Sequence, residues 1–154
     1  MSNWYHRVTG DLTELPLCIE HFEEELLEAR RELSMKNKTL EKHGSELPGL
    51  VEMRFSQLQE VEAILEYLNI ELRKTRSAKF KQYLENYNRQ LSSRDVEKYV
   101  DGEADVVDLA VLVNEVALLR NKFLSVTKGL DQKSWMIGHI TRLRVAGLDD
   151  ARLD

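Results

Sequence analysis

Cysteine, proline and glycine are all scarce in this 154-residue sequence, which has one, two and seven of them respectively. The lone thiol, Cys18, cannot form an internal disulfide. No run of 18 or more apolar residues occurs, which excludes a transmembrane helix, and the first ten residues lack the apolar stretch of a signal peptide. We therefore expect a cytoplasmic protein that makes no membrane contact. So few helix breakers, with 32% charged residues, are typical of long helices or coiled coils.

The sequence also lacks the short motifs that carry catalysis. It has no glycine-rich phosphate loop, no G-x-S-x-G, no H-E-x-x-H and no C-x-x-C. His21 and Glu25 are four residues apart and would share a helix face, but two ligands do not make a metal site. We expect no enzymatic activity, no metal and no cofactor.

Helical periodicity runs through most of the chain, and no alternating strand pattern of useful length appears. After an irregular stretch over residues 1–13, a first helix is predicted to open near Pro16 and to end at Gly44. Apolar residues within it recur every seven positions, as in a coiled-coil seam: Ile19, Leu26, Leu33 and Leu40. A second helix is predicted from a Ser45 cap to about Leu91. Its apolar stripe changes phase after Leu72, which indicates either a new packing environment or a break.

The remaining third of the chain predicts three further helices. A short one follows the Ser92–Asp95 turn and ends at Gly102, a long one covers about 104–128, and a last one covers about 132–145 and ends at Gly147. Gly129 is interpreted as the break between the last two. The fold class is therefore all-α, with long helices in an elongated bundle that assembles into a homo-oligomer. We divide it into an acidic segment with a coiled-coil-like helix (1–44), a helical core (45–147) and a flexible tail (148–154).

Charge is distributed unevenly along the chain. Its net value is -5, but residues 71–98 carry eight basic and four acidic side chains, a local excess of four positive charges. Five cations are concentrated here: Arg73, Lys74, Arg76, Lys79 and Lys81. Phe80 and Tyr83 lie among them, and Tyr87 follows. Cations that contact phosphates beside aromatic rings that stack on bases are what single-strand binding uses. Other readings remain open. The helical spacing of core or subunit contacts is shared by Phe80, Leu84, Tyr87 and Leu91. The cations also suit a solvated face, or a surface that pairs with the acidic first helix.

Three short motifs in the last two-thirds of the chain resemble a known family. The first is Trp135-Met136-Ile137-Gly138-His139-Ile140, preceded by Lys128-Gly129-Leu130 and followed by Leu143-Arg144. The second is Lys74-Thr75-Arg76, late in a long helix, and the third is Leu40-Glu41-Lys42-His43, ahead of that helix. In order and spacing these motifs resemble the UvsY-type recombination mediators of T-even-like phages. The chain differs from that pattern in its acidic N-terminal segment and its net negative charge.

The resemblance implies a phage-encoded protein of DNA recombination, repair and replication, located in the host cytoplasm. Such a protein binds single-stranded DNA and helps a RecA-like recombinase load in place of single-strand-binding protein. It forms a homo-oligomeric ring held by its C-terminal helices, for which we select Trp135, Ile137, Ile140 and Leu143. By the motif match, Lys74 and Arg76 contact DNA. The alternative is a coiled-coil structural or adaptor protein that binds no nucleic acid.

Overall fold

A computed structural model describes residues 3–86 and 90–148, and all regular structure within these ranges is helical. The described residues form five α-helices: α1 (Trp4–Gly10), α2 (Leu15–Glu32), α3 (Leu40–Asn86), α4 (Ser93–Asp101) and α5 (Ala104–Val145). A 3-10 turn, Leu12–Glu14, joins α1 to α2. The all-α prediction is confirmed. Tyr87 and the tail residues 149–154 lie outside the described residues.

The prediction that residues 1–13 are irregular is wrong, because α1 occupies most of them. Val8 is fully buried and anchors this short helix. The Arg7 guanidinium lies 3.8 Å from the centroid of the Trp4 ring, in a cation–π contact. The helix ends at Asp11, whose carboxylate accepts a hydrogen bond from the Thr13 N–H at 3.0 Å and starts the 3-10 turn. These contacts are made by individual side chains and not by a repeating apolar pattern, so hydrophobic periodicity over seven residues does not predict this helix.

The predicted first helix opens near Pro16 as expected, since α2 begins at Leu15, but its predicted end at Gly44 and its seven-residue seam are wrong. α2 ends at Glu32, and Leu33 lies in the turn that follows. The connecting segment contains Asn37 in the left-handed region, with φ at 67°. That conformation stops a helix, and asparagine is one of the few residues that adopts it readily. Leu40 therefore belongs to the next helix and not to a common seam with Ile19.

Helix α3 starts at Leu40 and runs for 47 residues without a break. Thr39 precedes it, and its hydroxyl accepts a hydrogen bond from the Lys42 N–H at 3.2 Å. The predicted new start at Ser45 is wrong, since the helix continues through Gly44 and Pro48. The change of phase after Leu72 is not a break, since α3 continues to Asn86, and both Leu72 and Phe80 pack on a cluster formed by α4 and the start of α5.

Four helix boundaries predicted beyond residue 90 are confirmed, namely the cap at Ser92, the end at Gly102, the start at Ala104 and the end at Gly147, and the break at Gly129 is wrong. Ser92 caps α4 by accepting a hydrogen bond from the Asp95 N–H at 3.2 Å. Gly147 has φ of 72° and ends α5 in a Schellman motif, in which the Leu148 N–H donates to the Leu143 carbonyl at 2.9 Å. Gly129, however, lies inside α5. A Cβ atom there would lie 2.8 Å from Leu33 Cδ2, so this glycine permits close packing and does not end a helix.

The chain divides into two compact units, each built from two separate stretches. Unit 1 comprises Met1–Cys18 and Glu60–Arg120, and unit 2 comprises Ile19–Gln59 and Asn121–Asp154. Unit 1 buries the apolar cluster Val96, Val100 and Val106. In unit 2, Phe22 and Phe123 meet edge to face, with ring centroids 5.6 Å apart. The domain boundaries proposed from the sequence at residues 44 and 147 remain predictions.

Unit 2 is held by a buried arginine between α2 and α3. The Arg54 side chain is 2% exposed. Its Nε and Nη2 donate to the two carboxylate oxygens of Glu32 at 2.9 and 2.6 Å. Its Nη1 donates to Glu25 at 2.6 Å and to the Gln57 side chain at 2.9 Å. A bidentate guanidinium–carboxylate pair fixes direction as well as distance, so it sets the register between the two helices.

Candidate nucleic-acid interface

The five candidate cations of α3, all in unit 1, differ in exposure and in ion-pair partner. Arg73, Lys74 and Lys81 are the most exposed, with side chains 69%, 67% and 74% exposed. Each pairs with a glutamate of α3 itself: Glu66 at 3.0 Å, Glu71 at 2.8 Å and Glu85 at 3.8 Å respectively. The hydrogen bond to Glu71 raises the pKa of Lys74, with the charge of Glu71 adding to it. All three side chains remain accessible to solvent.

The other two cations, Arg76 and Lys79, face α4 and the start of α5. Arg76 pairs with Asp101 at 2.9 Å, and Lys79 lies 3.2 Å from Asp105 and 3.9 Å from Glu103. The acids that balance this part of the basic stretch therefore come from the end of α4, the start of α5 and the connection between them. Sequence reasoning missed them. The sequence did contain a signal for these acids, which is that they cluster on both sides of Gly102.

The two candidate aromatic residues are half-buried. Phe80 and Tyr83 pack on the Val96, Val100 and Val106 cluster, and the Tyr83 hydroxyl donates a hydrogen bond to the Glu103 carboxylate. The Tyr83 ring stacks on Tyr99, with centroids 5.8 Å apart and planes inclined by 18°. Phe80 is thus a core contact, which is one of the alternatives that the sequence left open.

Tyr99 was not selected from the sequence, although it is the more accessible ring of the stacked pair. It is 51% exposed and lies on α4, one residue before the buried Val100. A ring supported on one face by a second ring and open to solvent beside it has the form of a base-stacking platform. The signal that could have identified it is its position three residues after Val96, at the border of the apolar face of α4.

A groove runs along α3 past part of the candidate set. One open concavity of about 580 Å³ is lined by residues of α3 alone: Glu66, Asn69, Leu72, Arg73, Arg76 and Ser77. A second, of about 260 Å³, lies between α3 and α4 and is lined by Arg76, Ser77, Phe80, Glu97 and Val100. Because the two share Arg76 and Ser77, they adjoin. We call the two together the α3 groove.

The four candidate oligomerisation residues lie near the C-terminal end of α5, in unit 2. Trp135 is 66% exposed and Leu143 is 46% exposed, while Ile137 and Ile140 are half-buried. The Trp135 ring stacks on His139, with centroids 6.4 Å apart. An exposed tryptophan and leucine two turns apart on one helix give this end of α5 accessible apolar surface.

Comparison with family models, with curated proteins and with solved structures finds no match for this chain. Within the described ranges, no helix is both long enough and apolar enough to cross a membrane. Among the same residues, no group of three or more histidine, cysteine, aspartate or glutamate side chains is arranged to hold a metal ion.

Proposed function

We propose that the protein binds single-stranded DNA along the α3 groove and acts as a recombination mediator, helping a RecA-like recombinase to replace single-strand-binding protein. The observation that carries the DNA-binding part is the groove itself. It brings Arg73, Arg76 and Phe80 onto one continuous concave surface. The mediator part rests on the motifs that resemble the UvsY-type family.

The carboxylates that pair with these cations do not prevent binding. Arg73 and Glu66 are each more than 60% exposed, and an exposed ion pair contributes only about 0.2–1 kcal/mol. A phosphate can take the place of the carboxylate with little loss of free energy. The consequence for affinity is that each subunit binds weakly and with strong salt dependence.

Assembly compensates for weak binding by one subunit. Trp135 and Leu143 offer apolar surface that a second copy of the chain can cover, and a homo-oligomer, a ring in this proposal, repeats the groove. Repeated sites on one strand raise the overall affinity by about 10²–10⁴ without new contacts. The strand would contact several copies of Arg73 and Arg76 at once.

DNA binding is tested by fluorescence anisotropy with a labelled single-stranded oligonucleotide at several salt concentrations. Replacing Arg73 and Arg76 together by alanine should weaken binding. For every two phosphates that are no longer neutralised by a cation, the log–log salt slope should become shallower by about 1.4. The matched control is Arg30→Ala with Lys128→Ala, which removes the same charge from exposed positions in unit 2. If both double variants bind the oligonucleotide with equal affinity, the α3 groove is not the DNA-binding site.

Assembly is tested by light scattering. Trp135→Ser with Leu143→Ser should give particles of lower mass than the parent protein. Leu118→Ser removes an equally exposed apolar residue of α5 in unit 1, 57% exposed, and should leave the mass unchanged. A parent protein that is monomeric at all concentrations would contradict the assembly proposal.

Mediator activity needs its own assay. With a RecA-like recombinase and DNA coated by single-strand-binding protein, the protein should shorten the lag before DNA-dependent ATP hydrolysis begins. The Arg73→Ala, Arg76→Ala variant should not. If the protein binds DNA but does not shorten the lag, the mediator proposal is contradicted and the DNA-binding proposal stands.

One observation favours the second candidate function, a coiled-coil structural or adaptor protein. All five candidate cations have a carboxylate partner within 4.0 Å, so the local charge excess is compensated by neighbouring acids. This candidate predicts no anisotropy change with the oligonucleotide even at low salt, while the oligomer persists.

A further inference from the structure

Unit 2 contains a cavity of about 440 Å³ where α2 ends, α3 begins and α5 passes. All residues that line it belong to unit 2, so it is separate from the α3 groove. Its volume falls within the range of about 300–1,000 Å³ that small-molecule sites occupy. It is therefore large enough for an organic ligand of nucleotide size.

The charged residues that line this cavity are mostly cationic. They are Arg31, Lys36, Lys38 and Lys133, against two carboxylates, Glu32 and Glu46. Glu32 is already bound by the Arg54 guanidinium through both oxygens. Glu46 is paired with Lys38 and lies 3.9 Å from Lys42. Both negative charges are thus compensated by groups within the protein.

Two of the lysines have no carboxylate partner among the described residues. Lys36 is exposed on the segment between α2 and α3 and makes no side-chain ion pair there. Lys133 is 6% exposed, and its ammonium donates to the carbonyls of Glu32 and Ser34. Burial lowers the pKa of Lys133, and the nearby charge of Lys38 lowers it further. An anion in the cavity would be stabilised by the nearby ammonium groups of Lys36 and Lys133.

A buried histidine provides the second observation. His43 lines the cavity from the first turn of α3 and is 4% exposed. Its Nε2 has no hydrogen-bond partner in the part of the chain that the structure describes. Leaving a buried polar group unpaired is destabilising, because its hydrogen bonds to water are lost without replacement. A ligand oxygen that accepts a hydrogen bond from Nε2 would offset that loss.

The α3 side of the cavity is apolar. Leu50 and Met53 line it there, next to Gly49, and Met53 is 38% exposed. A methionine beside a leucine offers an adaptable surface for a flat ring. Cationic groups and an unpaired histidine at one side, with apolar side chains at the other, fit an anion carried on an apolar body.

We propose that this cavity binds a phosphomonoester attached to a nucleoside, with Lys36, Lys133 and His43 facing the phosphate and Leu50 and Met53 facing the base. The same group occurs on a free nucleotide and at the 5′ end of a nucleic-acid strand. This site does not depend on the α3 groove, since no residue is common to the two.

The test is calorimetric titration of the full chain with deoxyadenosine 5′-monophosphate, with deoxyadenosine as the ligand that lacks the phosphate. Saturable binding of the first and none of the second is expected. Lys36→Ala should weaken binding by about tenfold, as expected when one charge-assisted hydrogen bond is removed. Lys128→Ala, an exposed lysine of the same unit that does not line the cavity, should leave it unchanged.

Two further variants separate binding from folding. A Cβ at residue 49 meets nothing within 4 Å, so Gly49→Leu should occupy cavity space, favour the helix and abolish binding. His43→Leu removes the unpaired nitrogen, so it should leave the melting temperature unchanged or higher while binding falls. Binding that is equal in Lys36→Ala, Gly49→Leu and the parent protein would overturn the proposal, as would the absence of binding to the nucleotide.

Competition identifies the source of the phosphate. A 5′-phosphorylated oligonucleotide that displaces the nucleotide, with its 5′-hydroxyl counterpart inactive, assigns the cavity to a strand end. If neither oligonucleotide displaces it, the cavity takes free nucleotides. Equal displacement by both would show that the phosphomonoester is not what is recognised, and would refute the proposal.

Discussion

Replacing Arg54 by methionine should destabilise the protein more than any exposed substitution. The change removes four hydrogen bonds to Glu25, Glu32 and Gln57 and leaves two carboxylates without their cation. Breaking a buried ion pair in this way costs about 3–5 kcal/mol. Because the side chains of Glu25 and Glu32 are 32% and 20% exposed, water partly solvates them afterwards. We therefore expect the free energy of unfolding to fall by the lower limit of that range, about 3 kcal/mol.

Urea denaturation followed by far-UV circular dichroism measures this loss. With a slope of about 2 kcal/mol per molar urea, the midpoint should fall by about 1.5 M. Arg30→Met is the matched control, an exposed arginine on α2, and should change stability by less than about 0.5 kcal/mol. Adding Glu25→Gln and Glu32→Gln to Arg54→Met should recover most of the loss, because no unpaired charge then remains.

The loss should also depend on pH. The hydrogen bond from the Gln57 side chain, aided by Arg54 and opposed by burial, holds the pKa of Glu25 below its ordinary 4.5. A carboxylate whose folded pKa is depressed contributes stability above its unfolded pKa and loses it as the pH falls through the folded value. The gap between parent and Arg54→Met should therefore narrow below about pH 4.5. A loss under about 1 kcal/mol at neutral pH would refute the reasoning.

Two further predictions concern Cys18 and the glycines of α5. Burial, with the charge of Glu60 adding to it, raises the pKa of Cys18 to about 12, and the residue is 1% exposed. Iodoacetamide at pH 8 should therefore label the native protein far more slowly than the protein in guanidinium chloride. Equal labelling rates would contradict the burial of Cys18. Gly138→Ala, where a Cβ meets nothing within 4 Å, should raise the free energy of unfolding by about 0.5–1 kcal/mol. Gly129→Ala should gain less or lose stability because Leu33 must move, and thermal melts showing the larger gain at Gly129 would be inconsistent with the close packing.

Sequence patterns predicted the elements whose signals are local. The start of α4 was found because Ser92 and Asp95 form a cap within four residues, and the end of α5 because Gly147 adopts a positive φ. Gly44 and Gly129 carry the same residue type without that conformation. At Gly129 the reason for glycine is Leu33, a residue of the distant turn after α2, and no local pattern contains that information.

The buried polar groups were missed for the same reason. Arg54 stands between Val51 and Leu58 at spacings of three and four, so it occupies a position of the apolar stripe. That spacing was a usable signal that the arginine faces inward. Its partners, Glu25 and Glu32, lie on a different helix, and nothing in the sequence distinguishes them from the exposed glutamates beside them.

The candidate DNA site shows how far a charge run can be interpreted. The sequence indicated an excess of cations at residues 71–98 and no acid among residues 72–84. It could not show that Arg76 and Lys79 face Asp101 and Asp105, because those pairs require the fold-back of α4 and α5 onto α3. Arg73, Lys74 and Lys81 have the solvated positions that the charge run predicts, the Arg76 side chain is 47% exposed, and Lys79 is half-buried, with a side chain 23% exposed.

The interleaving of the two units governs when each can form during synthesis. Unit 1 needs Glu60–Arg120, so its segments are all available once Arg120 has left the ribosome. Unit 2 must wait for residues beyond 120, since Glu23 pairs with Lys122, 99 positions later, and the end of α2 is bound by Lys133, 101 positions after Glu32. Helix α2 is therefore synthesised early, but its packing is completed only after the later residues of α5 have been synthesised. Until then its apolar side chains, Phe22 among them, lack the surface of α5 on which they pack.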